Sequence, residues 1–146
     1  PPPLSDGTIA GEHGRPPNAK LFTPMLIENS SMLISAPEYN AAMTAVLKNA
    51  IDWASRAEPG EPPLLAFRGK VGGLMSASPG NFGGVRSLAM ARAVLANMGV
   101  IIVPTQLAVV RAREAFDAQG NLLDERQRET VRAIGAEVVS FAIKLG

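Results

Sequence analysis

Two short polar stretches hold the residue types that could build a ligand site: Ser35-Ala-Pro-Glu-Tyr-Asn40 and Ser76-Ala-Ser-Pro-Gly-Asn-Phe-Gly-Gly84. Pro37 fixes one backbone dihedral and removes a donor, and Tyr39 offers a flat face and a hydroxyl. Glu38 and Asn40 can accept or donate at a rim. The second stretch adds the hydroxyls of Ser76 and Ser78, the apolar ring of Phe82 and a glycine-rich path whose N–H groups a ligand can approach. Aromatic faces with many backbone donors and acceptors suit a planar heteroaromatic ligand. They do not suit hydrolysis, because neither stretch contains His, Cys or a paired acid and base.

Each stretch alone reads as a common connector, since Pro, Asn and Gly are ordinary turn formers. Their places in the chain argue for more. The first follows Met32-Leu-Ile34, a run short enough for a buried strand, and precedes a helical pattern over about 41–56. There Met43, Val46, Leu47, Ala50, Ile51 and Ala54 recur at i, i+3, i+4, i+7, i+8 and i+11. The second follows Val71-Gly-Gly-Leu-Met75, a strand whose glycines predict close approach by a neighbour. It precedes a helix of about 85–98 that ends at Gly99. Strands alternating with helices imply a parallel sheet, so both turns fall on its carboxyl edge, where open α/β sheets bind ligands.

The remaining elements complete that pattern. Residues 1–18, rich in proline and glycine, read as irregular surface chain. Asn18 can cap a helix over about 19–29, and Glu58–Pro63 reads as a loop. Val100–Val103 is a strand stopped by Pro104, with Leu107–Val110 continuing it after a jog. A turn or short hairpin is expected around Gln119–Asn121. Asp124 with Gln127 resembles a capping box opening a last helix of about 125–145, with Val131, Ile134, Val138, Phe141 and Leu145 on one face.

Composition narrows the classes. The chain has 146 residues, 47% hydrophobic and 18% charged, enough for one α/β domain over 1–146. A net charge of +1 gives no push toward nucleic acid or an anionic membrane, and no apolar run approaches a bilayer span. With no cysteine, thiol nucleophiles, thiolate metal sites and disulfides are excluded, and a cytoplasmic location is expected. His13, the only histidine, reads as a solvated loop residue without a catalytic partner. Trp53 reads as core or interface packing, and Arg86 and Arg92 as surface or subunit-contact cations able to reach a phosphate or carboxylate. Asp52 and Glu58 are too isolated for an acid/base pair, and the six methionines are gap fillers.

Taken in order, Pro37-Glu-Tyr-Asn40, Leu47-Lys-Asn-Ala-Ile-Asp-Trp53, Gly69-Lys-Val-Gly-Gly73 and Ser78-Pro-Gly-Asn-Phe-Gly-Gly84 closely resemble the NADPH-dependent FMN reductase family, from about residue 3 to the C-terminus. That family includes quinone, chromate and azo-dye reductases. The resemblance implies a flavodoxin-like three-layer sandwich with strand order 2-1-3-4-5 and FMN at the switch point. Met32–Ala36 then looks like strand 3. It implies that Pro37, Glu38, Tyr39 and Asn40 hold the isoalloxazine ring, largely through backbone atoms. Ser76, Ala77, Ser78, Pro79 and Gly80 look like the second flavin-contacting loop. At Ala77, where several members carry a hydroxyl residue, a backbone contact is implied.

The family's phosphate loop, a Gly-Ser-x-Arg-x-x-Ser pattern after strand 1, has no match here, nor do strand 1 and helix 1. About 35–50 further N-terminal residues are therefore expected, the length of one βαβ unit. The implied activity is hydride transfer from NADPH (or NADH) through bound FMN to a small-molecule acceptor, in a homodimer or homotetramer, with no nucleic-acid or membrane partner. Backbone donors near the two turns, or a helix N-terminus, would stabilise charge developing on the reduced ring. Two alternatives stay open: a non-catalytic binding or interaction module, and an FMN electron carrier.

Overall fold

The computed structural model describes residues 2–145. Its core is a parallel three-stranded sheet in the order β1-β4-β5, built from β1 (Ser31–Ser35), β4 (Val71–Ala77) and β5 (Ile101–Val109). Parallel neighbours need long crossovers, which here are helical. The helix α3 (Ala45–Ala54) lies between β1 and β4, and α4 (Val85–Asn97) between β4 and β5.

Period-2 alternation in β4 divides the core between two faces. Leu74 joins Ile51, Phe67, Leu88 and Leu95 on one face, where partly buried Phe22 and Leu26 of α2 (Pro17–Glu28) also pack. Val71 joins Val103 on the other face, against Ile134 and Val138 of the long helix α6 (Glu125–Leu145). The result is a helix–sheet–helix sandwich. A Cβ on Gly73 would stand 2.7 Å from Ile134 and 2.8 Å from Leu33, and one on Gly72 would stand 2.8 Å from Ile102. The close approach expected at these glycines is therefore real on both faces.

Several elements depart from the sequence reading. Residues expected to be irregular include α1 (Gly7–His13). The start of the chain is also tied down: Trp53 Nε1 donates to the Pro3 carbonyl (2.7 Å), and Ser5 N–H donates to Asn49 Oδ1 (2.7 Å). Trp53 is fully buried within its own chain, which fixes it as core packing rather than interface. Helix α2 starts at Pro17, with Pro16 rather than Asn18 at the N-cap, because proline already holds the dihedral that the first turn needs.

The helix expected from about 41 starts at Ala45, after a small antiparallel hairpin of β2 (Glu38–Tyr39) and β3 (Ala42–Met43). Met43 thus belongs to a strand, and Thr44 caps α3 by accepting from Leu47 N–H (3.2 Å).

Strand β5 is not stopped at Pro104. Val103, Pro104 and Thr105 stand opposite the single Gly73, and this bulge on an edge strand absorbs the missing N–H. Arg92 serves the bulge through the carbonyls of Ile102 (3.4 Å) and Val103 (3.0 Å) and through Gln106 Oε1 (2.9 Å). It is a structural cation, not a surface one.

The turn expected near 119–121 is an Asp117 loop closed by a Phe116–Leu122 bridge, after a short helix α5 (Ala112–Ala115). Asp124 caps α6 by accepting from Arg126 N–H (2.8 Å) and Gln127 N–H (3.2 Å). The reciprocal half of the capping box is missing, and Gln127 Oε1 is buried without a partner. On α6, Ile134 and Val138 are buried as expected, whereas Phe141 and Leu145 are exposed.

Candidate functional site

The carboxyl ends of β1 and β4 place the two polar turns side by side, as the alternation of elements predicts. Three clefts surround this edge. One of about 390 Å³ is lined by Ser35, Ser76 and Ala77 and, across from them, by Phe116, Arg128 and Arg132. One of about 470 Å³ is lined by Ser35, Ala36, Pro37 and Tyr39 against Val46, Leu47 and Ala50 of α3. A smaller one of about 240 Å³ lies between Glu38 and Asn40 on one side and Ser78, Pro79, Gly80 and Phe82 on the other. Every residue singled out in the two turns lines at least one of these clefts, and Ser35 belongs to two.

Three buried serines fix the two turns. Ser76 Oγ donates to the Gly83 carbonyl (2.7 Å) and closes the second turn on itself. Ser78 Oγ accepts from the Glu38 N–H (2.8 Å) and joins the second turn to the first. Ser87 Oγ, on α4, donates to the Pro37 carbonyl (3.3 Å). The hydroxyls expected to face a ligand at Ser76 and Ser78 thus hold backbone in place, which leaves ligand contact at these turns to main-chain atoms.

The glycines of the second turn are constrained by space. Gly83 (φ +59°) and Gly84 (φ +96°) sit in the left-handed region. A Cβ on Gly83 would lie 2.8 Å from the Val109–Val110 backbone, and one on Gly84 would lie 2.6 Å from Ser76 Oγ. Residues 79–82 between these anchors are exposed, so the turn is held at its ends and open to solvent between them.

Glu38 does not act as a free rim carboxylate. Its side chain is only 6% exposed, and it accepts from the N–H groups of Arg86 (3.0 Å) and Ser87 (3.3 Å) at the start of α4. Arg86 adds its guanidinium, with Nε at 2.7 Å from Oε1, and lies 4.7 Å above the Phe82 ring. The Arg86 hydrogen bond, helped by the two backbone donors, holds the Glu38 carboxyl below the usual carboxylate range. Arg86 thus reaches a carboxylate, as expected, and is paired inside the turn region while its side chain stays 49% exposed. The N-terminus of α4, one possible stabiliser of ligand charge, is already occupied by Glu38.

This cap was missed in the sequence, although a signal was present. Helix α4 starts after Gly84, which has no side chain to satisfy the first N–H groups, so an acceptor had to come from elsewhere. The hairpin was missed too. Its two-residue loop, Asn40 (φ +51°) and Ala41 (φ +65°), has both residues left-handed, as in type I′ turns, and this lifts Tyr39 to 62% exposure.

Other charged residues have structural partners. Arg15, buried, pairs with Glu61 (2.5 Å) and donates to the Arg56 carbonyl (2.8 Å). Lys70 Nζ donates to the carbonyls of Ile27 (3.1 Å) and Asn29 at the end of α2, and burial lowers its pKa. His13 is exposed beside Glu12, in keeping with a solvated role. Among the described residues, no helix is long and apolar enough to cross a membrane.

Comparison with known proteins agrees with this arrangement. The sequence profile of NADPH-dependent FMN reductases matches residues 1–114. The chain is similar to an NAD(P)H-dependent FMN reductase of Pseudomonas aeruginosa, with 39% identity over 82% of this chain and 62% of that one. It is also similar to an NADPH:quinone oxidoreductase of Arabidopsis thaliana, with 33% identity over 99% of this chain and 72% of that one. Among solved structures, the flavoenzyme FerB of Paracoccus denitrificans, an NAD(P)H:(acceptor) oxidoreductase, superposes with a TM-score of 0.80 at 23% identity, over 99% of this chain and 76% of that one. That likeness shows the flavodoxin-like fold, whose parallel sheet the described residues hold as three strands in the order β1-β4-β5. By its motifs, its fold and its match over residues 1–114, this chain belongs to the NADPH-dependent FMN reductase family.

Proposed function

We propose that this chain, as one flavodoxin-like domain, seats the ring of FMN between the turns at 37–40 and 76–80. It would serve an NAD(P)H-dependent oxidoreductase whose acceptor is a quinone, chromate, an azo compound or free flavin. The observation that carries this reading is the bond between Glu38 N–H and Ser78 Oγ, which joins two ligand-edge turns into a single wall. Relatives named as FMN and quinone reductases support it.

The residues present suit such a ring. Tyr39 offers an exposed aromatic face, and residues 79–82 are open to solvent. The carboxylate at the rim is neutralised by Arg86, so it would not repel electron density arriving at the ring. Bound FMN would supply the two-electron chemistry, taking hydride from NAD(P)H and passing electrons to the acceptor. The protein's part is to orient and to tune. Pro37, Glu38, Tyr39 and Asn40 would set the ring's edge through backbone atoms. Ala77, Ser78, Pro79 and Gly80 would line its polar side, with the Gly80 N–H as a main-chain donor there, while Ser78 and Ser76 hold the loop's shape through bonds to the end of β5 and to Gly83. Only the ring end of the cofactor is assigned to residues of this chain. Assembly as a homodimer or homotetramer and a cytoplasmic location belong to the same reading.

The test is to incubate the purified full-length protein with FMN, remove unbound flavin, and record the visible spectrum and NADPH oxidation with benzoquinone. Retained flavin absorbance with acceptor-dependent NADPH oxidation is expected. Flavin retained without turnover would point to an electron carrier, and no retained flavin would overturn the proposal.

A further inference from the structure

Glu38 ties the first turn both to the second turn and to the start of α4. Its N–H goes to Ser78 Oγ, its Oε2 to the N–H groups of Arg86 and Ser87, and its Oε1 to the Arg86 guanidinium. The carbonyl just before it, on Pro37, accepts from Ser87 Oγ. Residues 37 and 38 are thus fixed to α4 and to the second turn. The hairpin tip beyond them, Tyr39 to Ala41, is exposed and carries two left-handed residues.

We infer that Glu38 is a positioning residue: clamped by Arg86, Ser87 and Ser78, it holds the first turn in its ligand-ready shape before any cofactor arrives. This rests on the flavin reading above. The physics is preorganisation. A turn that spends only part of its time in the binding shape weakens apparent affinity by that fraction, so a tenth of the time means about a tenfold higher Kd.

The clamp also has a charge consequence. Arg86 and the start of α4 are both positive, and the Glu38 carboxylate balances them. Glu38→Gln keeps an oxygen that can accept from the helix N–H groups but removes the negative charge. The excess positive charge beside the ring then favours the reduced, more negative flavin.

Three measurements test the inference, on wild type and on Glu38→Gln and Ser78→Ala. The first, amide hydrogen exchange of residues 39–41 in cofactor-free protein, needs no flavin. Both variants should exchange faster there, while the core amides of β4 keep wild-type rates. The second is FMN affinity, read by quenching of flavin fluorescence, which should weaken about tenfold in each variant. The third is the midpoint potential of bound FMN. It should rise in Glu38→Gln and stay unchanged in Ser78→Ala, a split that a merely structural role would not give.

Wild-type exchange at 39–41 in both variants would overturn the clamp. Wild-type affinity and potential in protein that does bind FMN would overturn its link to the cofactor. A wild type that binds no FMN would sink the flavin reading, and the exchange experiment would still decide the clamp. Should Glu38→Gln fail to fold, Ser78→Ala carries the exchange and affinity arms by removing only the acceptor of Glu38 N–H.

Discussion

The turn after β1 and the turn after β4 lie at the same sheet edge but are built in different ways. The second is largely self-contained. Ser76 closes it onto Gly83, Gly83 N–H reaches the Gly80 carbonyl (3.4 Å), and its flanks bond to the end of β5 through Ser78 N–H to Val109 O (3.1 Å) and Arg111 N–H to Gly80 O (3.2 Å). The first depends on groups outside itself: Ser78 from the second turn, and Arg86 and Ser87 from α4. Dependence therefore runs one way. Damage to the second turn should spread to the first, whereas damage to the first should reach the start of α4, which Glu38 caps, and leave the second turn in place.

The largest expected effect comes from Gly83→Ala. Residue 83 is left-handed, and a Cβ there meets backbone atoms at 2.8 Å rather than a flexible side chain. Strain of that kind costs about 1–3 kcal/mol for the dihedral alone, and the overpacking adds a similar amount. A loss of about 3 kcal/mol or more is expected in urea unfolding, with exchange protection lost in both turns. A loss below about 1 kcal/mol, or a first turn that stays protected, would break the asymmetry.

The parts that could be read in the sequence share this local character. The strand before the second turn, the end of α4 at Gly99 and the span of α6 follow from hydrophobic period and turn chemistry within a few residues. The two turns and their common edge follow from the alternation of elements. What could not be read depends on distant partners. Glu38 reaches the start of α4 across 48 residues, and Ser78 meets Glu38 across 40. Strands of two residues, as in β2 and β3, are too short to show a period. Pro104 looked like a stop because the bulge that absorbs it, and the Arg92 that serves it, belong to the tertiary structure.

A smaller effect of opposite sign is expected at the tip of the first turn. Ala41 is held at φ +65°, a conformation that costs an L-residue about 1–2 kcal/mol, whereas glycine adopts it freely. Ala41→Gly removes that strain but adds freedom to the unfolded chain, leaving a net gain of about 0.5–1 kcal/mol. Because the tip supports nothing beyond itself, protection in the second turn should not change. A loss of stability in urea unfolding, or a changed second turn, would contradict the one-way dependence.

Acid gives the smallest and most local test. Glu38 is held below its ordinary value of 4.5 by the Arg86 hydrogen bond first, with the Ser87 and Arg86 N–H groups adding to it. A carboxyl lowered in the folded state contributes stability that is present above its unfolded value and is lost as pH falls through the folded one. The clamp should therefore be intact at neutral pH and weaken only below about pH 4.5. Glu61, Asp117 and Glu125 are lowered as well, so the whole protein loses stability in the same range. The informative quantity is the difference in Tm between wild type and Glu38→Gln, followed from pH 7 to pH 3. It should be constant at the upper end and shrink toward zero in acid, because the wild type loses by protonation what the variant lacks already. A difference that holds steady through pH 3 would mean that the carboxylate charge contributes nothing to the hold on the first turn.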